Sequence, residues 1–271
     1  MNYYKKDNGK LMYSMPVQYE EFKSFFLILI RISVVLFMLP FFSSRIIPVL
    51  SKAGLAFIVT IILFPVISNK MTEFPDTSWG VFQLIVSEFM IGMILGLTVQ
   101  MFFEAVSMMG QLVGFQTGFA IVNILDPQSG TQASILSNMS SLIAMVLFLT
   151  LNGHYILLGA IRESFEIINV GSLNLNKQLF KVIMGVSTDM FAIAVKIGAP
   201  AIAALLLTKV IFGLITKLIP QMNIMIVAFP VQIVIGLIFF GISMNVLLMI
   251  MDRYVGDLDL LLINIMRLLR V

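Results

Sequence analysis

Six long apolar runs constrain this chain more than any other feature: Phe25–Phe42, Ile46–Ile67, Val81–Phe103, Ile135–Ile161, Val182–Leu207 and Ile224–Met251. Each approaches or exceeds the ~20 residues that a helix needs to cross ~30 Å of hydrocarbon. Backbone amides in lipid must be satisfied within their own segment, so helix is the physical default. A transmembrane barrel needs ~10-residue segments of alternating polarity, and the sequence has none. Charge content agrees. Only 11% of residues are Asp, Glu, Lys or Arg, against ~25% in a soluble domain. Much of the outer surface must therefore face lipid or other protein. The expected fold class is all-α: polytopic, membrane-associated helical hairpins.

Other classes are excluded by what the chain lacks. It has no cysteine, so disulfides, thiolate metal sites and cysteine nucleophiles are ruled out. The net charge of +3 is small and its basic residues are scattered, whereas nucleic acid binding calls for a clustered basic face. No GxxxxGK[ST] phosphate loop occurs, so energy must enter through partners. No catalytic, cofactor or metal site is expected. The sole histidine, His154, reads as a turn residue beside Asn152-Gly153. The 20 methionines read mostly as flexible packing.

Residues 1–20 read as a flexible extension, with Met12 and Met15 as alternative starts. The following apolar stretch lacks a small-residue cleavage site, which points to an uncleaved first helix. Outside the runs, and counting Lys52 near the start of the second, Lys and Arg number eleven on the side of the N-terminus and four on the other. The positive-inside rule then places both termini in the cytoplasm. Within or beside the runs lie Arg31, Glu88, Glu104, Lys196 and Lys209, together with Pro40, Pro65, Pro200 and Pro230. A charge at the bilayer centre costs at least ~2.5–3.5 kcal/mol. Either these charges snorkel from helix ends, or the bundle is buried inside a larger assembly.

Between Ala105 and Ile161 the only acidic or basic side chain of fixed charge is Asp126. Gly110, Gly114 and Gly118 recur every fourth residue, and upstream Gly92 and Gly96 repeat the spacing. Small residues let helices approach closely where lipid supplies no hydrophobic drive. The strip serves either general helix packing or a partner interface. The stretch from Gly110 to Leu125 then halts at Asp126-Pro127, because proline disfavours helix in the residue before it. At 16 residues it is short for a span and suits a re-entrant or pore-facing element.

The residues here also carry a family likeness. The run from Gly110 to Gln132 contains Gly114-Phe115-Gln116-x-Gly118 and Asp126-Pro127-x-Ser129. Phe148-Leu149-x-x-Asn152-Gly153-His154 and Ser164-Phe165 follow at matching spacing. Weaker likeness extends from about residue 20 to 260, including Pro220-Gln221-Met222-Asn223 and Phe229-Pro230. The chain resembles the FliR family of flagellar export proteins and its injectisome relatives.

That resemblance implies a core subunit of the flagellar type III protein export gate, in the bacterial inner membrane at the flagellar basal body. The implied partners are FliP-like and FliQ-like subunits, an FlhB-like export switch protein, exported flagellar proteins in transit, and membrane lipid. It further implies a FliP-like region over 21–175 and a FliQ-like helical hairpin with a C-terminal tail over 176–271. The boundary falls in Ser172–Gln178, a polar stretch that reads independently as a linker. By position, the family's hydrophobic pore plug maps to Phe119, Ile121, Val122, Ile124 and Leu125, followed by Asp126 and Pro127. Ile121 and Ile124 depart from the phenylalanine that relatives often carry there. Two alternatives are an injectisome counterpart and an ion-coupled secondary transporter. Transporters usually show two related halves, and no internal repeat is visible.

Overall fold

Wherever the apolar runs are described, the chain is helical. The computed structural model describes residues 16–43, 48–67, 77–118, 135–221 and 224–270. In chain order the helices are α1 (Pro16–Met38), α2 (Pro40–Ser43), α3 (Val49–Ile67), α4 (Ser78–Thr117), α5 (Ile135–Thr150), α6 (Gly153–Ile167), α7 (Lys177–Leu218) and α8 (Ile224–Leu269). No strand occurs among the described residues. The molecule is an all-α polytopic membrane protein.

Contacts along α4 give the topology. Arg31 lies level with Glu88 and Met38 with Gly96, so α1 runs parallel to α4. Ser187 meets Met101 and Gly198 meets Met109, so α7 is parallel too. Ser137 lies against Gly110 and Phe148 against Phe103, so α5 returns antiparallel. α8 also returns antiparallel, with Gly236 against Thr117 and Tyr254 against Phe102. α3 packs on α1 through Phe25, whose ring meets Phe57 and Phe64 edge-on. One continuous hydrophobic core, from Leu27 to Leu269, joins these helices.

Three element boundaries differ from the sequence reading. The run Ile135–Ile161 is two helices, α5 and α6, bent by 71°. Asn152 takes a left-handed conformation (φ 61°) at the bend, and Gly153 there lies directly under the Phe148 ring. The glycine-rich stretch from Gly110 starts no new element. It is the last turns of the 40-residue α4, which ends at Thr117 with left-handed Gly118 as its cap. The last apolar run ends at Met251, but its helix, α8, continues to Leu269. Met251, Val255, Leu258, Leu262, Ile265 and Leu269 are buried in this part, at the three- and four-residue spacing of a packed helix face.

Four helices (α3, α4, α7 and α8) are long and apolar enough to cross a membrane, and the bent pair α5–α6 makes a fifth. α1 is not among them because Glu21, Lys23 and Arg31 interrupt it. At 1.5 Å per residue, the 40 residues of α4 reach about 60 Å, twice the ~30 Å of hydrocarbon. α7 and α8 are longer still, with 42 and 46 residues.

The polar stretch between α6 and α7 is docked. Asn176 accepts the Leu179 N–H (2.7 Å) as the N-cap of α7, while its amide donates to the Leu268 carbonyl (3.0 Å). The Asn174 N–H donates to the Leu269 carbonyl (3.1 Å). One asparagine thus serves the first turn of α7 and the last turn of α8, where backbone groups lack helical partners. Asn176→Ala is expected to cost about 1–2 kcal/mol. It should lower the thermal midpoint of the detergent-solubilised protein and speed tryptic cleavage at Arg267 and Arg270.

Candidate functional site

Two of the five ionisable residues singled out in the runs meet inside the bundle. Arg31 and Glu88 are both fully buried. Arg31 Nε donates to Glu88 Oε2 (2.6 Å) and Nη2 to Oε1 (3.0 Å), a bidentate pair. Such a fork is geometrically specific and stronger than a neutral hydrogen bond. Arg31 Nη1 donates to the Ser164 carbonyl (3.0 Å) and hydroxyl (3.2 Å), and the guanidinium lies 4.0 Å from the Phe165 ring centroid. Glu88 Oε1 also accepts the Gly171 N–H (3.0 Å). α1, α4, α6 and the α6–α7 connection are therefore tied at one point.

Gly171 can serve there only because it is glycine. Its φ of 79° is left-handed, and a Cβ at this position would collide with Leu84. Sequence reasoning missed Gly171, and Ser164-Phe165 were noticed only for their spacing. The signal available was a glycine just ahead of a polar stretch, which does not say that its amide faces a carboxylate 83 residues away.

Glu104, Lys196 and Lys209 lie on exposed faces of α4, α7 and α7. Among the described residues Glu104 accepts a 3.5 Å contact from Gln100.

Glycine contacts fall mostly inside the bundle. A Cβ on Gly92 would lie 2.9 Å from the Arg31 carbonyl oxygen, and one on Gly96 would lie 2.7 Å from Met38 Cβ. Both therefore let α1 settle on α4. A Cβ on Gly110 would lie 2.5 Å from Ser137 Cα and 2.7 Å from the Leu136 carbonyl. The Ser107 and Ser137 hydroxyls bond at 2.9 Å beside this crossing. Gly114 is buried, and its carbonyl accepts the Thr117 hydroxyl (2.9 Å). Gly118 caps α4 beside the Phe229 ring. At Gly92, Gly96 and Gly110 the strip serves crossings within the chain, because the atoms against each glycine belong to α1 and α5.

The plug residues Phe119, Ile121, Val122, Ile124, Leu125, Asp126 and Pro127 lie outside the described residues. What is described is their frame. α4 ends at Gly118 and α5 begins at Ile135, at the end of the bundle that also carries the turn between α7 and α8. His154 opens α6 beside the Tyr155 ring, 4.3 Å between centroids, and its buried Nδ1 makes no hydrogen bond. Neither a nucleophile nor an acid is found bonded to it among the described residues, nor does any group of three potential metal ligands form there.

Residues 22–258 match the family described as bacterial export proteins, family 1. The chain is similar to the flagellar biosynthetic protein FliR of Bacillus subtilis strain 168, 31% identical over 232 residues, covering 84% of this chain and 89% of that one. It is 29% identical over 209 residues to FliR of Escherichia coli K12, covering 77% and 79% of the two chains. FliR of Aquifex aeolicus VF5 is 29% identical over 233 residues, covering 84% and 87%.

Removing one partner of a buried ion pair strands the other, at about 3–5 kcal/mol. Arg31→Met and Glu88→Leu should each show a loss of that order in the thermal midpoint in detergent. The double variant should lose less than the sum of the two, the coupling expected of residues in direct contact. A second contrast tests the glycine crossing. Gly110→Ala should destabilise by about 1–3 kcal/mol through overpacking against backbone. Gly185→Ala, where a Cβ meets open space, should be neutral or stabilising by about 0.5–1 kcal/mol.

Proposed function

Because this chain belongs to the bacterial export proteins of family 1, we propose that it is a structural and gating subunit of the flagellar protein export channel, not an enzyme. The reading is carried by one observation: the match from residue 22 to 258 touches every helix of the bundle. The named relatives are flagellar biosynthetic proteins, which favours a flagellar machine over an injectisome. An ion-coupled transporter is less favoured. Arg31 and Glu88 satisfy each other, while Glu104, Lys196 and Lys209 are exposed on outer faces, so these five form no shared coupling site.

The gate we assign to Phe119–Leu125 follows from its frame and its side chains. Apolar residues in a narrow constriction exclude water and ions. A plug must also be held, and the close approach of α4 to α5 at Gly110 and Ser137 fixes both of its anchors. The FliP-like region over 21–175 then supplies the plug, and the FliQ-like pair over 176–271 flanks it. FliP-like and FliQ-like subunits cover the apolar outer faces, and an FlhB-like switch protein acts beside them. Exported flagellar proteins pass the plug, and the assembly sits in the bacterial inner membrane at the basal body. With α4, α7 and α8 too long for the hydrocarbon alone, part of each helix lies among these subunits, outside lipid.

Deleting the chain should abolish filament assembly and motility on soft agar. Shortening Phe119–Leu125 in frame should instead leave motility in part while the membrane leaks small cations, measured as conductance or potassium efflux. A stably assembled shortened variant that leaks no more than the parent would remove the plug assignment and leave the subunit assignment intact.

A further inference from the structure

The outer face of α4 changes character along its length. Trp79, Phe82, Val86 and Phe89 are exposed at the three- and four-residue spacing of one helix face. Met93 and Leu97 continue this face half-exposed, and Gln100 and Glu104 end it. The 21 residues from Trp79 to Gln100 rise about 32 Å, close to the ~30 Å of hydrocarbon. The lower limit is aromatic on two helices at once. Trp79 stacks on Phe82 nine residues before Glu88, and Phe22 pairs with Phe26 nine residues before Arg31. Since α1 and α4 are parallel and joined at Arg31–Glu88, these rings share one level, with Glu21 and Lys23 beside them. Bilayers place aromatic belts at such a boundary.

Helix α3 fits the same depth. It packs on α1 at Phe25, and its 19 residues rise about 28 Å. Its one charged residue is Lys52, in the first turn, while Leu55, Ile58, Ile61 and Ile62 are exposed. The rest of the bundle is charged at that depth. Ser164 and Gly171 both bond the buried ion pair and so lie level with it. Exposed Arg162 and Glu163 precede Ser164 on α6, and exposed Lys177 begins α7 six residues after Gly171. Asn174 and Asn176 hold the last turn of α8 there, with Arg267 and Arg270 exposed on it. Lys177, Arg267 and Arg270 have no ion pair among the described residues.

We infer that this protein meets the bilayer on one side only. Lipid covers α3 and the lower half of α4, between the level of Trp79 and that of Gln100, and other protein screens α6, α7 and α8 from lipid at the same depth. The inference deepens the reading above that the chain works inside an assembly. Unpaired cations cannot face hydrocarbon at the depth where α3 and α4 present only apolar side chains. A protein neighbour on α3 and α4 would fit their apolarity equally well. It would not require a stripe of bilayer thickness on two helices, with aromatic rings at one limit and an amide and a carboxylate at the other.

The chain has no cysteine, so Ile58→Cys, Phe82→Cys, Phe89→Cys and Asn264→Cys each accept one spin label at an exposed position. Asn264 lies ten residues beyond Tyr254, which meets Phe102, and is thus nearly level with Phe89. The full chain is purified with co-expressed export subunits, their own cysteines replaced by serine. The complex is then reconstituted in phosphatidylethanolamine and phosphatidylglycerol vesicles. Oxygen, which concentrates in hydrocarbon, should relax the labels at 58 and 89 more than a water-soluble nickel chelate does. That excess should shrink at 82, nearer the boundary, and vanish at 264. An oxygen excess at 264 equal to that at 89 overturns the one-sided contact. Labels at 58 and 89 shielded from both reagents in an intact complex overturn the lipid face and leave the assembly reading standing. The expected pattern at 58, 82 and 89 in a chain that retains no other subunit keeps the lipid face and overturns the assembly reading.

Discussion

A single fully buried ion pair sets the register of this bundle. Arg31 and Glu88 lie 57 residues apart, on different helices, in a chain that carries few charges at all. Desolvating two ions is expensive, and their mutual attraction offsets that only when geometry is close and remaining donors and acceptors are satisfied. Here the fork is bidentate, Ser164 takes the other guanidinium nitrogen and Gly171 supplies a further N–H to the carboxylate. Apolar packing alone tolerates sliding, because one leucine resembles the next. The fork does not: shifting α1 by one turn would strand both charges.

The second constraint is length. α4, α7 and α8 are about twice as long as the hydrocarbon is thick, yet apolar residues are exposed along much of their length. On α7 alone, the exposed Phe180, Phe191, Leu207 and Leu218 are spread over more than nine-tenths of the helix. Lipid can cover only part of such a surface, and water is a poor solvent for the rest. Company from other protein is the remaining solution. That is why an assembly subunit fits better than a solitary transporter, and why exposed Glu104, Lys196 and Lys209 are compatible with burial by neighbours.

Helix class was legible because apolarity at this density leaves the backbone no alternative to helix, whereas the number of spans was not: of six runs, the first lies in α1, which is not among the helices apolar enough to cross. Boundaries were less so. Asn152-Gly153 was visible as turn chemistry, but apolar residues continue on both sides and hide a bend. The stretch from Gly110 to Leu125 read as a short re-entrant or pore-facing element, whereas Gly110 admits α5 and leaves α4 whole to Thr117. The last apolar run ended at Met251 because Asp252, Arg253, Asp257 and Asp259 follow, but they occupy the outer face of a helix whose inner face is Val255, Leu258 and Leu262. Arg31 and Glu88 were recognisable as costly charges. Their pairing was not, because nothing local links residues in different helices. The small residues and the amide that complete the node are silent in sequence for the same reason.

A gate needs a soft element on a hard support, and the two are encoded by different chemistry. The support is close packing: Gly92 and Gly96 bring α1 onto α4, and Gly110 brings α4 onto the first turn of α5. Interiors packed this closely transmit strain instead of absorbing it. The proposed plug departs from that chemistry at once. After Gly118, left-handed and incompatible with continuing the helix, comes an aliphatic stretch ended by Asp126-Pro127, where the backbone again disfavours helix. The crossing at Gly110 and Ser137 and the ion pair at Glu88 leave α4, which leads into the proposed plug, little freedom. The positions of the glycines thus fix where α1, α4 and α5 meet.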